Sequence, residues 1–338
     1  MGKGGAAVRH AHAQGQEKAQ AQAQGKAQGR GRSGGVRDVD MTVVADDGVP
    51  LAGTLTLPPG SGPHPAVVLL HGSGPLDREG NTPKVRVGLA TPLAEALAAE
   101  GIATLRYDRR GVGGTPGDWR AAGFVDNRLD GAAAVRSLAA RPDIRADAVA
   151  VVGHSEGAVH AMALGARPDV SAVVLLAGYA CRGEDAFRWQ ARSILGSLPA
   201  PVRLLRPAFR VFGRRQLRRF AAGTTDVSRV AGIPVNARWT REMLRHDTRT
   251  DLAALRVPVL ALTGEKDLQI DPGHLETIRR LVPEPGGAEA HRIPDLTHVL
   301  RRDPGRPSMS AYRRLLREPV DPEVLTRVTD WLAARLDN

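Results

Sequence analysis

The chain is short of cysteine, aromatics and long apolar runs, and each shortage closes off a class of protein. A single cysteine, Cys181, among 338 residues leaves no internal disulfide. No Cys/His cluster has zinc-ligand spacing, so no metal is expected. The longest apolar stretches, such as "VSAVVLLAG" at 170–178, are about half the roughly 20 residues of a membrane span. The N-terminus lacks the apolar run of a secretory signal, and a cytoplasmic location is the expectation. Aromatics make up 4% of the chain, and residues 1–37 contain none. That Gln/Ala/Gly-rich tail cannot bury enough surface to offset its ordering entropy, so it is expected to be disordered. A linker or a start-codon extension is the plain reading. A nucleic-acid-binding arm would want aromatics to stack on bases, and no nucleic-acid partner is expected.

What is present is positive charge, unevenly placed. The net charge is +11, with 42% apolar and 25% charged residues. Residues 1–40 carry seven Lys/Arg against three Asp/Glu, and residues 180–245 carry fourteen Arg against four Asp/Glu. The rest of the chain is therefore close to −3. The basicity belongs to the tail and one segment. A globular chain of this size builds a core without staples.

The order of elements is informative. Two β-like runs, Met41–Ala45 and Leu51–Leu57, flank "DDG", a hairpin signal. "PAVVLLHG" (65–72) then reads as a strand covered on both faces. Helix-like and strand-like runs alternate after it: helix 89–101, strand 102–108, helix 125–141, strand 148–153, helix 156–166 and strand 170–178. Such alternation implies right-handed crossovers and a doubly wound, mostly parallel sheet. Residues 180–250 break the pattern: they are Arg-rich, helix-like and without strand signals. Strand 257–264, helix 272–282, strand 288–294 and helix Pro322–Leu336 resume it. The expected division is a tail (1–37), an α/β core (38–179 and 251–338), and a helical cap (180–250) inserted before the last two strands. A cap there would lie over the carboxyl edge of the sheet, where such folds bind ligands.

Chemistry concentrates at "VVGHSEGAVHA" (151–161). A strand runs into Gly153-His154-Ser155-Glu156-Gly157, and a helix follows. Strand, Gly-x-Ser-x-Gly, helix is a nucleophile elbow. The turn is so tight that the residues two before and two after the serine must be small. The helix N-terminus then faces the point where negative charge develops.

Four motifs stand in order: "HGSGP" (71–75), "LRYDRRGVGGT" (105–115), "GHSEG" (153–157) and "GEKDLQI" (264–270). On these the chain resembles the α/β-hydrolase superfamily, in particular its bacterial serine esterase-like branch, over residues 40–336. Ala158 stands where that branch often has another glycine. The resemblance implies an α/β-hydrolase fold and no cofactor.

A serine hydroxyl needs a base to take its proton, and the base needs an orienting acid. In the superfamily that the chain resembles, the order along the chain is Ser, then acid, then His, which implies an acid and a histidine after Ser155. Asp267, Glu265 and Asp271 all lie after strand 257–264; the resemblance places the acid at Asp267. Of ten histidines, His274, His291 and His298 follow Asp267, and His274 starts a helix. His291 falls within a strand, and His298 falls in the loop after it, so His298 is the expected base. Oxyanion stabilisation needs two backbone N–H groups, expected from Glu156 and from Ser73, with Gly74 as the alternative to Ser73. The resemblance makes "RYDRRGVGGTPG" (106–117) a structural loop in which Asp108 and Arg109 tie backbone together; a substrate contact by Arg110 is the other reading.

The expected function is cleavage of small-molecule carboxylic esters through an acyl-enzyme. A thioesterase, amidase or acyltransferase would use the same triad, and a non-catalytic binding protein of this fold is the alternative from another class. Within the cap, "RLLRPAFRVFGRRQLRRF" (203–220) interleaves seven arginines with apolar residues. It reads as a lid helix pair, or as a face that attracts anionic substrates or an anionic membrane surface. No reading of oligomeric state follows from these patterns.

Overall fold

The computed structural model describes residues 35–199 and 206–337. Most of the tail, and Arg203, Leu204 and Leu205 of the cap motif, lie outside the described residues. The first strand begins at Arg37, four residues before the expected Met41.

Eight strands form one sheet in the order β1-β2-β4-β3-β5-β6-β9-β10. β1 (Arg37–Val44) and β2 (Pro50–Leu57) form the expected antiparallel hairpin, with Val43 opposite Leu51. Gly48 closes its turn at φ 85°, a value that favours glycine. β2 also runs antiparallel to β4 (Ala103–Tyr107). The remaining strands, β3 (His64–Leu70), β5 (Ile144–His154), β6 (Ala172–Leu176), β9 (Val259–Gly264) and β10 (Ala288–Ile293), run parallel to β4. This is the α/β-hydrolase architecture.

Strand β3 shows why the sheet is covered twice. Ala66, Val68 and Leu70 point to one face, and Val67 and Leu69 to the other. The first set packs with α2 (Phe124–Ala139), α3 (Glu156–Leu164) and α8 (His274–Leu281). The second packs with α1 (Ala90–Ala99) and α10 (Pro322–Leu336). Each fully buried Leu on these faces contributes roughly 1.5–3 kcal/mol. Helix ends follow local chemistry. Gly101, at φ 79°, ends α1 with Gly101 N–H bonded to Ala98 O and Ile102 N–H to Leu97 O. Asp321 caps α10 by accepting from Glu323 N–H and Val324 N–H, with Pro322 in the first turn.

The insertion between β6 and β9 contains α4 (Gly183–Ser197), α5 (Arg206–Ala222), α6 (Ala237–Arg245) and α7 (Thr248–Ala254). One expectation is corrected here: the segment is not free of strands. β7 (Val227–Val230) and β8 (Ile233–Asn236) form a hairpin. Ala231 and Gly232 both have positive φ (50° and 81°), the geometry of a tight two-residue hairpin turn. The strands are four residues each and carry polar residues, which is why no periodicity marked them.

The insertion is pinned to the core by polar contacts. Asn236 Nδ2 donates to Trp119 O and Ala122 O at 2.8 and 2.6 Å. The Glu242 carboxylate accepts Val125 N–H at 2.9 Å, in the first turn of α2, and Arg238 bridges Glu242 and Asp126. Among the described residues no helix is long and apolar enough to cross a membrane.

Candidate active site

The elbow is built at the end of β5. Ser155 adopts φ 56°, ψ −117°, a strained conformation for a residue with a side chain. Its N–H is held by Leu176 O at 2.9 Å and its C=O receives Ala158 N–H at 3.0 Å. The two flanking glycines have no alternative. A Cβ at Gly153 would stand 2.1 Å from Gly157 O, and one at Gly157 would stand 2.1 Å from Leu70 O. The packing of β5 against β3 thus dictates small residues around the serine.

Asp267 and His298 reach the serine through two adjacent parallel strands. β9 and β10 end side by side, and the loops beyond them are stitched together. Glu265 N–H bonds Ile293 O, Lys266 N–H bonds Leu296 O, and Lys266 Nζ donates to Asp303 O at 2.6 Å. Asp267 is 4% exposed, and its Oδ1 accepts Gln269 N–H and Ile270 N–H at 2.7 and 2.9 Å. Its Oδ2 lies 2.8 Å from His298 Nδ1. The carboxylate only accepts, so Nδ1 carries the proton and Nε2 of a neutral ring is left as an acceptor. Nε2 lies 3.1 Å from Ser155 Oγ. The rivals stand elsewhere. Glu265 is exposed, Asp271 accepts Gly273 N–H ahead of α8, and His291 lies within β10 opposite Leu262.

His154 is a site residue that the sequence did not disclose. Its Nε2 donates to His298 O at 2.9 Å, so it holds the backbone of the expected base. Burial, with His298 nearby, pushes its pKa down to about 3 and keeps the ring neutral. No sequence signal marks a contact across 144 residues.

Glu156 and Ser73 face the same cavity as Ser155. Arg109 links their two chain segments. It donates to His71 O at 3.0 Å, two residues before Ser73, and pairs with the Glu156 carboxylate at 3.2 Å. Glu156 also accepts from Asn127 Nδ2 and His160 Nε2, each at 3.0 Å. Burial alone would raise the Glu156 pKa, yet Arg109 and the His160 bond hold it well below the usual carboxylate range. Asp108 ties the neighbouring loop by accepting Gly114 N–H and Arg78 N–H at 2.9 and 2.7 Å. His71 donates into that loop at Arg78 O, 2.8 Å, and burial pushes its pKa down to about 4.

The cavity above Ser155 has a volume of about 390 Å³. The chain has twelve aromatic residues, and five of them (Trp119, Phe124, Tyr179, Phe187 and Trp239) line it. Phe187 and Trp239 come from the insertion and meet edge to face, 6.3 Å apart. Arg109 and Arg110 also line the cavity, but each is neutralised: Arg109 by Glu156, and Arg110 by Asp130 and Asp47. Gln190 and Gln269 bond each other, and Thr240 donates to Asn236 O. Apolar surface predominates in the walls, and both arginines that line them are paired. Among the described residues, no group of three His, Cys, Asp or Glu side chains could hold a metal ion.

A sequence profile of the alpha/beta hydrolase family matches residues 67–307. The chain belongs to this family. Proteins similar to it include Esterase EstD of Thermotoga maritima, 27% identical over 286 residues, which are 83% of this chain. The chain spans 65% of the length of that relative. Among solved structures, Est1E from Butyrivibrio proteoclasticus, with ferulic acid bound, superposes with a TM-score of 0.60 at 18% identity, over 88% of this chain and all of that one. The 2,6-dihydroxy-pseudo-oxynicotine hydrolase gives 0.56 at 19% identity, over 88% of this chain and 68% of that one. At such identities the likeness to the two structures is one of fold.

Proposed function

We propose that the protein is a serine hydrolase that cleaves carboxylic esters through an acyl-enzyme. The observation that carries this reading is the unbroken Asp267–His298–Ser155 chain, with steps of 2.8 and 3.1 Å, ending on a serine in a strained turn. The similarity to EstD supports it.

Ser155 Oγ attacks the ester carbonyl, and His298 Nε2 takes its proton. Asp267 holds the ring in that tautomer and stabilises the imidazolium. The backbone N–H groups of Ser73 and Glu156 receive the oxyanion. Collapse of the tetrahedral intermediate breaks the bond to the alcohol oxygen, which takes the proton from His298. Water then attacks the acyl carbonyl as His298 takes its proton. The second collapse frees the acid and returns the proton to Ser155 Oγ. Arg109 is a positioning residue: it keeps the His71–Ser73 segment and Glu156 together.

The core comprises residues 38–179 and 251–338, and residues 180–250 serve as its cap. The cavity walls favour a neutral substrate with an apolar, flat group, because Arg109 and Arg110 are already paired. The test is hydrolysis of p-nitrophenyl acetate, decanoate and benzoate, beside Ser155→Ala and fluorophosphonate labelling. The reading expects turnover and labelling that both vanish in Ser155→Ala, with benzoate favoured in kcat/KM. Labelling without ester turnover would redirect it to a thioester, amide or acyl-transfer substrate. Folded protein that takes no label would end it.

A further inference from the structure

Helix α4 shows two different faces. Ala186, Phe187 and Gln190 line the cavity over Ser155. Glu184, Arg188 and Arg192 line a separate cleft of about 320 Å³, whose other wall is Arg214, Leu217 and Arg218 of α5. Each helix thus supplies two arginines one turn apart, and all four line the one cleft.

The cleft is short of negative charge. Glu184 is its one carboxylate, and it is already bonded to Arg188 at 2.6 Å. Among the described residues, Arg192, Arg214 and Arg218 have no carboxylate within ion-pair distance. Arg206 fastens α5 to the end of α4 through Leu195 O and Gly196 O, so the two walls stay together in spite of their like charge. Bringing like charges together is unfavourable unless an anion joins them. A guanidinium presents a planar fork of donors that matches phosphate oxygens.

We propose that this cleft binds a phosphate-bearing anion, at a site distinct from the ester-cleaving one. The phosphate belongs either to a soluble molecule or to a lipid headgroup. Val211 and Phe212, exposed on α5 at 68% and 51%, would enter a membrane interface in the second case. The site does not depend on the esterase reading, because no residue of the cleft touches Ser155, His298 or Asp267.

The probes are inorganic pyrophosphate, followed by titration calorimetry, and vesicles of phosphatidylglycerol or phosphatidylcholine, followed by cosedimentation. The full chain is compared with Arg192→Gln/Arg218→Gln and with a control outside the insertion, Arg313→Gln/Arg317→Gln. All three should give the same far-ultraviolet circular dichroism and thermal midpoint, which shows that they are folded whether or not they cleave esters. Saturable one-site binding of pyrophosphate, weakened about tenfold or more in the cleft variant and unchanged in the control, supports the site. Phosphatidylglycerol-specific sedimentation that the cleft variant loses, and that pyrophosphate competes away, identifies the lipid source. Pyrophosphate binding without sedimentation identifies a soluble one. The absence of both pyrophosphate binding and phosphatidylglycerol-specific sedimentation overturns the proposal. Equal weakening in the control, or vesicle binding that the cleft variant keeps, does so as well.

Discussion

Arg109 and Arg218 carry the same group in opposite surroundings. Arg109 lies beside Ser155 with its side chain 12% exposed; it pairs with Glu156 and also bonds His71 O. Arg218 stands exposed on the cap and has no carboxylate partner among the described residues. The same split runs through the molecule. Arg78, Arg106 and Arg110, near the sheet, all hold carboxylates, while Arg192 and Arg214 of the insertion do not. A buried guanidinium needs bonded acceptors, carboxylates at these positions and carbonyl oxygens at Arg301, whereas an exposed one is hydrated. The chemistry over Ser155 therefore runs in a neutral setting, and the surplus charge of the chain serves its outside.

Substitutions in the two regions should differ sharply in effect. The largest change is expected from Asp267→Asn, which leaves the ring of His298 without its acceptor. kcat should fall about 10³- to 10⁴-fold with folding intact; a loss below tenfold would remove Asp267 from the proposed triad. Arg109→Met strands the buried Glu156 and should cost about 3–5 kcal/mol in urea unfolding. Adding Glu156→Gln should restore most of that loss, and a double variant no better than the single one would show that the pair is not the coupled unit. Gly157→Ala should cost about 3 kcal/mol or prevent folding, because its Cβ would meet Leu70 O. Wild-type thermal stability in that variant would contradict the elbow geometry.

Acid should weaken the core specifically. His71 and His154 are kept neutral by burial, with pKa values of about 4 and about 3 against an ordinary 6.5. Below pH 6.5 the unfolded chain takes up protons that the folded chain refuses. Their contribution is therefore complete above that pH and declines as pH falls toward 4. By pH 5 the loss should be on the order of 2 kcal/mol for each histidine. An unchanged urea midpoint between pH 7.5 and pH 5 would count against this. The smallest effect is expected from Arg214→Gln on the exposed face of α5, within about 0.5 kcal/mol of wild type. A loss comparable to that of Arg109→Met would erase the contrast between the two regions.

Much of this architecture was legible before any coordinates. The alternation of "PAVVLLHG" with amphipathic runs marks strands covered on both faces, and the cap of α10 can be read directly from Asp321 and Pro322. Ser155 stands out because a tight turn demands glycines at fixed spacing. The order of Ser155, Asp267 and His298 along the chain is what the family resemblance implies. The hairpin at 227–236 was not seen, although Ala231-Gly232 between Val/Ile residues carries a turn signal. Its strands are too short and too polar to show a period of two.

Local pattern set the fold class and the residue types of the site, because hydrophobic period, turn chemistry and glycine spacing act over a few positions. Tertiary packing alone decided the rest. That His154 holds the carbonyl of His298, that Arg109 joins Glu156 to the His71 segment, and that five of twelve aromatics gather over Ser155 are relations between distant segments. They exist because parallel strands bring distant segments to one edge, where buried donors, acceptors and charges must find partners across the fold.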